Sequence, residues 1–385
     1  MQARRAFSWP LFLLMASVTF LAILSELVPS GILLQLAQRL SVSELEAGVL
    51  IGWYAIASAV SGIPIIRWTM GVNRKHLLLI LLLGLALSNL MVGLTNNYLI
   101  AVGARLLGGI CAGVLWPMIA AYGIRLVEAD HKGKAVAIIM SGPTFGISLG
   151  LPLMTFLGNR LGERMEFFAL SGVILLVALL CQIYLPPLQG EKTSSDNSLL
   201  SVLRNRGILV IILMTILAIA AHYGVYTYIT KLVEAIDYRG GIELGQILFG
   251  MGSILSVILA GKFVDKHIQK ISLIIFFGGF LAFLGFLYGG HIALVSHLAF
   301  MAWGFGYGAL NTVFQTAIAN QVPPKALDLA SSLQSSTFNF SIMLASSLGG
   351  LILANDGMGA LLTVAASLLF LALLVASLAK KTLAE

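Results

Sequence analysis

Residues 20–35 read FLAILSELVPSGILLQ and place one ionisable side chain, Glu26, inside an apolar run. A charged side chain near the centre of a bilayer costs about 2.5–3.5 kcal/mol on insertion scales, so such residues usually face a protein-lined cavity and mark substrate or proton pathways. Pro29 and Gly31 follow within two turns, and a loosened backbone is tolerated in a spanning helix where it lines a cavity. Two interpretations stay open: a functional carboxylate within a span, and a helix that ends near Glu26.

The composition around this stretch is that of a membrane protein. Of the 385 residues, 59% are apolar and 10% are charged, and the mean hydropathy is +0.97. Such a chain has too few polar side chains to cover a water-soluble globule. A spanning helix needs about 20 mostly apolar residues, and the hydropathy predicts about twelve of them in an all-α fold. The predicted spans are 9–36, 46–67, 76–95, 98–124, 134–157, 166–185, 207–232, 243–264, 271–289, 292–319, 327–354 and 357–379.

The basic residues set the predicted orientation. Arg4 and Arg5 precede the first span, and most other Lys and Arg fall in loops on the same side. The positive-inside bias therefore predicts that both termini are cytoplasmic. The net charge of +7 then reflects topology, and we expect no nucleic-acid binding. The first 24 residues imitate a signal peptide, but they offer no convincing cleavage site and are interpreted as part of the first span.

Several classes of function are disfavoured by missing motifs. Cys111 and Cys181 fall within apolar spans and show no metal-ligand spacing, so we interpret them as packing residues and expect no metal. The sequence contains no Walker A motif, zinc motif or nucleophile elbow, which disfavours a self-powered pump and the commoner hydrolases. No cofactor is expected.

The chain divides at its longest polar stretch. Residues 186–206 read PPLQGEKTSSDNSLLSVLRNR and combine a double proline, a Ser/Asn/Asp cluster and flanking charge. This composition predicts a cytoplasmic linker between two halves of six spans, 1–185 and 207–385. Residues 199–204 within the linker are compatible with a short surface helix.

The two halves come into register with a shift of 195 positions. KHLLLILLLG at 75–84 then overlays KISLIIFFGG at 270–279, and a run of glycines recurs. Parallel repeats of six spans are a known transporter architecture. Other paired positions under this shift are Gly109 with Gly304, Gly113 with Gly308, Glu26 with Ala221 beside His222, and Arg105 with Phe300. The halves are thus chemically unequal.

Three short stretches carry more specific patterns. The loop between the second and third spans reads GIPIIRWTMGVNRK at 62–75, the fourth span contains RLLGGICAGVLWP at 105–117, and the fifth contains SGPTFGISLGLP at 141–152. In the fourth span a helix presents one stripe at i, i+4, i+7 and i+11. The stripe consists of Arg105, Gly109, Ala112 and Trp116.

Together with the span count and the two halves, these patterns resemble the major facilitator superfamily over essentially the whole chain. The first half is most similar to its drug/proton antiporter group, especially the sugar, purine-nucleoside and drug efflux branch. The resemblance implies two pseudo-symmetric six-helix bundles that rock about a site near the bilayer midplane.

The resemblance assigns roles to the two loops. In the superfamily, the loop between the second and third spans makes charge contacts that latch one conformation. This chain keeps Arg74 and Lys75 there but lacks the usual Asp, whereas the second-half loop GKFVDKHIQK at 261–270 keeps Asp265 and Lys266. The alternative is a solvated basic turn that only sets topology.

The resemblance also assigns roles within the spans. A buried Arg in the fourth span is tied to proton coupling, so we expect Arg105 to be the electrostatic partner of Glu26, the predicted proton carrier. The alternative is an Arg105 that reaches the outer surface. The glycine motif of the fifth span accompanies export, although close helix packing alone also explains its glycines. The residues concerned are Gly142, Pro143, Gly146 and Gly150.

Polar and aromatic residues within spans are the candidates for substrate contact. Such residues usually face the protein interior, although each alone is more often a contact between helices. As a set they predict a pocket for a neutral or weakly polar organic molecule. The candidates are Trp53, Tyr54, Trp116, His222, Tyr226, Asn311, Gln315, Gln334 and Asn339.

We therefore expect a secondary transporter, and no enzyme, that exports a small organic solute in exchange for protons across a bacterial inner membrane, with one chain sufficient for transport. A proton-coupled importer or a uniporter with the same fold is the first alternative. A membrane-embedded enzyme acting on lipids would need a cluster of catalytic groups, which the scattered His and acidic residues do not provide. A scaffold or receptor is disfavoured by the absence of an appended soluble domain.

Overall fold

The protein is described by a computed structural model that covers residues 8–190 and 199–379. This part of the chain is almost entirely helical and contains no strand, so the predicted all-α class is confirmed. The basic residues Arg4 and Arg5 and the segment 191–198 of the predicted linker lie outside the described residues.

Eight helices precede the linker. They are α1 (Trp9–Gly31), α2 (Leu33–Leu40), α3 (Glu44–Thr69), α4 (Arg74–Leu94), α5 (Tyr98–Ile124), α6 (Lys132–Phe145), α7 (Leu151–Leu161) and α8 (Glu163–Tyr184), and a π-helical turn (Gly146–Gly150) joins α6 to α7. Asn or Ser residues cap several helix starts. Ser43 forms a capping box with Glu46 before α3, and Asn73 and Asn97 accept main-chain N–H bonds at the starts of α4 and α5.

Seven helices follow. They are α9 (Leu199–Arg204), α10 (Arg206–Tyr226), α11 (Ile229–Ala235), α12 (Gly241–Gly289), α13 (Ala293–Gly308), α14 (Leu310–Gln321) and α15 (Leu327–Leu378). The short helix α9 occupies the residues that the sequence favoured for it.

Nine helices of the described chain are long and apolar enough to cross a membrane, and they contain eleven of the twelve predicted spans. Both α12 and α15 contain two predicted spans, separated by non-helical backbone at His267 and at Gly357, where φ is +81°. The predicted span 134–157 is divided between α6, the π turn and α7. The predicted first span is also interrupted, because Ile32 is non-helical between α1 and α2.

The described chain forms two compact units. The first contains the described residues of 1–127, 138–199 and 324–336, and the second those of 128–137, 200–323 and 337–385. The boundary near residue 199 falls inside the predicted linker. The division into domains 1–185 and 207–385 stays a prediction.

The same close helix contact occurs within each unit. A Cβ atom on Gly109 or Gly113 of α5 would collide with the main chain of Tyr54 or Ser58 on α3. In the second unit, Gly304 and Gly308 meet the main chain of Phe249 and Ser253 in the same way, at positions shifted by 195. Small residues thus allow two backbones to approach closely, and the internal repeat of the sequence is a repeat of packing.

Candidate functional site

The main chain next to Glu26 has a carbonyl group without its helical donor because of Pro29. Proline has no N–H, so the carbonyl oxygen of Ser25, four residues earlier, lacks its helical donor. Glu26 lies on the last turns of α1, and its side chain is partly buried. The helix ends at Gly31, so Glu26 is inside a helix and the alternative of a helix ending at this residue is wrong.

Arg105 supplies the missing donor and binds two further carbonyl groups. Its side chain is completely buried, and its Nη1 and Nη2 atoms donate to the carbonyl oxygens of Ser25 and Glu26 at 2.5 and 2.6 Å. The Nε atom donates to the carbonyl oxygen of Leu50 at 3.2 Å. The guanidinium also lies over the ring of Tyr54, 4.4 Å from its centroid. Arg105 therefore does not reach the surface, and it joins α5 to α1 and α3.

The contact between Arg105 and Glu26 runs through the main chain of Glu26. Among the described residues, no ion pair joins the Glu26 carboxylate to Arg105. A buried charge needs compensation by hydrogen bonds or by a partner charge, and here the carbonyl oxygens and the Tyr54 ring provide it. The sequence predicted the proximity of the two residues, but the role of the freed Ser25 carbonyl group was not recognised.

Two further polar residues extend this corner. Asn89 on α4 donates from Nδ2 to the hydroxyl of Ser25 at 3.0 Å and to the carbonyl of Leu85 at 2.9 Å. Its Oδ1 atom is buried and has no partner among the described residues. Sequence reasoning missed Asn89 and Ser25, although an Asn in the middle of an apolar span is itself a signal. We call Ser25, Glu26, Asn89 and Arg105, together with Tyr54, the arginine corner.

The glycine stripe of the fifth span packs against the helix that carries Glu26. Cβ atoms at Gly142, Gly146 and Gly150 would meet α1 atoms between Ala16 and Leu24. Pro143 frees the carbonyl oxygen of Ile139, as Pro29 does for Ser25, and the hydroxyl of Thr19 on α1 donates to it at 2.5 Å. These glycines thus lie where the fifth span approaches α1 closely, and their role in gating stays a prediction.

The second unit contains an aromatic cluster around His222. The buried His222 ring stacks on Tyr307 with centroids 3.7 Å apart, and on Tyr226 at 5.0 Å. Phe249 and Trp303 lie at 5.6 and 5.5 Å. His222 and Tyr226, both predicted substrate candidates, are four residues apart on α10 and their rings are in contact. The sequence analysis missed the other three rings, which lie on α12 and α13. These five rings are the aromatic cluster.

The remaining substrate candidates are dispersed. Trp53 is more than a third exposed, and Trp116 is partly buried. Tyr54, the neighbour of Trp53, belongs to the arginine corner. The amides lie on two helices, with Asn311 and Gln315 on α14 and Gln334 and Asn339 on α15. Gln315 and Gln334 are buried, whereas Asn311 and Asn339 are partly exposed.

Arg74 makes a buried ion pair within the first unit. Its Nη2 atom lies 2.6 Å from Oδ2 of Asp328, in the first turn of α15, and both side chains are almost fully buried. The guanidinium also donates to the carbonyl oxygens of Thr69 and Met70, and Arg125 lies 3.9 Å from Asp328. The interpretation of Arg74 as part of a solvated turn is wrong. Lys75 is partly buried and contributes its main-chain N–H to the Asn73 cap.

Asp265 binds main-chain donors within the second unit. Its carboxylate accepts hydrogen bonds from the N–H groups of Gly133 and, at 3.1 Å, Lys134, at the start of α6. A helix start carries unpaired N–H groups and favours negative charge. Lys266 is exposed. Sequence reasoning found Asp265 but not Asp328, although an acid at the start of an apolar span was visible.

The described residues include no group of three or more His, Cys, Asp or Glu arranged to hold a metal ion. Cys111 and Cys181 are buried free thiols, in line with their interpretation as packing residues.

Comparison with known proteins places this geometry in context. A family model described as the Major Facilitator Superfamily matches residues 15–327. A chloramphenicol efflux pump of Mycobacterium tuberculosis is 28% identical over 370 residues, which cover 93% of this chain and 89% of that protein. A protein named "Probable sugar efflux transporter" from Helicobacter acinonychis is 28% identical over 341 residues, or 87% of this chain and 86% of that protein.

Solved structures share the fold at low sequence identity. The human organic anion transporter superposes with a TM-score of 0.76 at 16% identity, over 95% of this chain and 98% of that one. The fucose:proton symporter of E. coli superposes with a TM-score of 0.76 at 15% identity, over 97% of this chain and 99% of that one. The twelve-helix fold and the resemblance found in the sequence are confirmed.

Proposed function

The chain belongs to the Major Facilitator Superfamily, and we propose that it is an antiporter that exports a small organic solute by alternating access in exchange for protons. The observation that carries this proposal is the arginine corner, in which the buried Arg105 donates to the carbonyl oxygens of two consecutive residues, Ser25 and Glu26. Relatives named for chloramphenicol and sugar efflux support the direction and the class of cargo.

Glu26 is the proposed proton carrier. Its carboxylate forms no ion pair with Arg105 among the described residues, so its charge is free to change without breaking a direct salt bridge. A buried environment favours the neutral acid and a nearby cation favours the carboxylate. A motion of α1 relative to Arg105 would shift this balance and switch Glu26 between binding and releasing a proton.

The aromatic cluster is the proposed contact surface for the solute in the second unit. Stacked rings offer large apolar faces, and His222 and the tyrosines add polar edges. This combination suits a neutral or weakly polar molecule with a flat or apolar face. Trp53, Trp116, Asn311, Gln315, Gln334 and Asn339 remain proposed contributors.

The two loop contacts are proposed to stabilise one conformation of the transport cycle. The first joins Arg74 and Arg125 to Asp328, and the second joins Asp265 to the start of α6. Both must break if the helices that they connect separate. Lys75 and Lys266 belong to the same loops and add positive charge there. The glycine motif with Pro143 is proposed to let α1 and α6 slide at close distance.

We further propose that the protein lies in the bacterial inner membrane with both termini cytoplasmic, acts as a single chain, and performs transport without a covalent step. Everted membrane vesicles test the direction of transport. Proton-driven accumulation of a candidate solute inside such vesicles supports export. Accumulation only in right-side-out cells under the same gradient would contradict export and favour the importer.

A further inference from the structure

Glu166 is a second acidic side chain within the apolar part of the first unit. It lies in the first turn of α8 and is completely buried. Among the residues that the structure describes, neither of its carboxyl oxygens has a hydrogen-bond partner. The transport scheme above does not use this residue.

The carboxyl group occupies a space that a glycine leaves open. A Cβ atom on Gly158 of α7 would collide with Oε2 of Glu166 and would lie 2.8 Å from the side chain of Ile32. Ile32 is the non-helical residue between α1 and α2. Glu166 therefore lies where α7 and α8 meet the interruption of the first span.

Charged residues on the neighbouring elements are engaged elsewhere. Arg39 of α2 pairs with Glu163 of α8 at 3.5 Å. Arg164 of α8 donates to the Asn96 side chain at 2.6 Å. On α7, Arg160 lies over the ring of Phe156, 5.5 Å from its centroid. None of the ion pairs of the described residues includes Glu166.

The other two helices that pack on α8 are α1 and α4. Glu26 of α1 is six residues from Ile32, or about 9 Å at the helical rise. The end of α4 at Gly93 contacts Phe167, whereas its charged residues lie at the opposite end, about 26–29 Å away at the same rise. The latter are Arg74, Lys75 and His76. Arg39 also lies over the ring of Phe167, next to Glu166, at 6.0 Å from its centroid, but no cation of these elements forms an ion pair with Glu166 in the described part of the chain.

We infer that Glu166 is a second proton-binding site, occupied in this conformation and emptied when the interruption at Ile32 moves away from it. An ionised carboxylate without a partner is strongly disfavoured in a buried site, and the neutral acid is the form that fits there. Separation of α1 and α2 from α7 would admit water and release the proton. The inference concerns proton binding and does not depend on the direction of transport.

Infrared spectroscopy of the purified protein in lipid nanodiscs tests this inference directly. At neutral pH we expect a C=O band of a protonated carboxylic acid that Glu166→Gln removes and Glu166→Asp shifts. Glu163→Gln, three residues away on the same helix, is the matched control and should leave the band unchanged. The difference spectrum between the unsubstituted protein and Glu166→Gln isolates this band from any other protonated acid, and a difference spectrum without it overturns the inference.

A distance measurement tests the link to conformation. Spin labels at Leu34 and Leu161, exposed positions on α2 and α7, report the opening of this junction in a background that lacks Cys111 and Cys181. We expect the label distance to increase with pH in the otherwise unsubstituted protein and to become independent of pH with Glu166→Gln. An identical pH response in both proteins contradicts the inference. Neither outcome bears on Glu26, whose role is tested by transport.

Discussion

The arginine corner and the aromatic cluster occupy corresponding positions of the repeat but have different chemistry. Gly109 approaches the main chain of Tyr54 in the first unit, and Gly304 approaches Phe249 in the second. Tyr54 then lies under the Arg105 cation, whereas Phe249 packs on the His222 ring. The backbone packing was duplicated while the side chains diverged, which suggests a division of proton coupling and solute contact between the units.

The two loop contacts show a similar divergence. Under the shift of 195 positions, Met70 corresponds to Asp265 and Gly133 corresponds to Asp328. In the second unit the loop supplies the acid and the helix start supplies N–H groups. In the first unit the helix start supplies the acid, Asp328, and the loop supplies Arg74. The first loop thus lacks the usual Asp but makes a contact in which the loop carries the positive charge and the helix start carries the negative charge.

The largest effect is expected from Arg105→Ala. Its removal leaves the carbonyl oxygen of Ser25, freed by Pro29, without a donor and breaks the bonds to Glu26 and Leu50, and a buried unsatisfied group costs about 1–3 kcal/mol. We expect proton-driven transport in vesicles to fall to background and the unfolding temperature to decrease. Arg160→Ala, at an exposed Arg on α7, is the control. Unchanged transport by Arg105→Ala would show that the two units do not differ in the way proposed.

A double-mutant cycle sharpens the comparison of the loop contacts. Arg74→Ala and Asp328→Asn should each reduce transport strongly, and their effects should be non-additive by about 0.5–3 kcal/mol, as is usual for residues in contact. Exchange of the two residues, Arg74→Asp with Asp328→Arg, should restore part of the activity. The comparison is the double variant Asp265→Asn with Asp328→Asn. These two acids belong to different loop contacts, so we expect their effects on transport to be additive. Additivity of the Arg74 and Asp328 changes would contradict a functional pair.

A smaller effect is expected from His222→Gln. The substitution removes a ring that stacks on Tyr307 and Tyr226 without changing any residue of the arginine corner. We expect solute affinity to fall about tenfold, or about 1.4 kcal/mol, while transport remains dependent on the proton gradient. Ligand-induced thermal stabilisation and vesicle transport measure the two properties separately. Preserved affinity with loss of proton dependence would reverse the assignment of the two regions.

The smallest effect is expected from shortening the linker. A deletion of four residues within 191–198 should leave transport and expression nearly unchanged, because the composition of this segment predicts few buried main-chain groups. Deletion of residues 186–190 is the contrasting control. Carbonyl groups of Pro186, Leu188 and Gln189 accept hydrogen bonds from Tyr122, Arg74 and Arg125 of the first unit. Loss of transport at normal expression after the first deletion would contradict the prediction.

The sequence predicted the features that depend on composition and local pattern. Apolar windows located the spans, and the glycine spacing indicated the close approach of α6 to α1. The loss of hydrogen bonds at Pro29 was also foreseeable, because proline lacks an N–H group. What the sequence did not reveal was which donor would replace them.

The missed contacts share a physical reason. Asp328 is 254 positions from Arg74, and Trp303 and Tyr307 lie 81 and 85 positions beyond His222. Periodicity within one helix reveals its faces but not the residues opposite them. The sequence did offer one signal for functional residues. Under the shift of 195 positions, some positions are polar or charged in one half and apolar in the other, and these are where the two halves differ in chemistry while their helix packing repeats.

The central claim is that Glu26 carries the coupling proton, and Glu26→Gln tests it most directly because glutamine mimics the protonated acid at nearly constant shape. Everted vesicles with an imposed pH gradient measure uphill transport, and solute binding to the purified variant measures the site. We predict retained solute binding with complete loss of proton-driven accumulation. Full uphill transport by Glu26→Gln under the pH gradient would contradict the account.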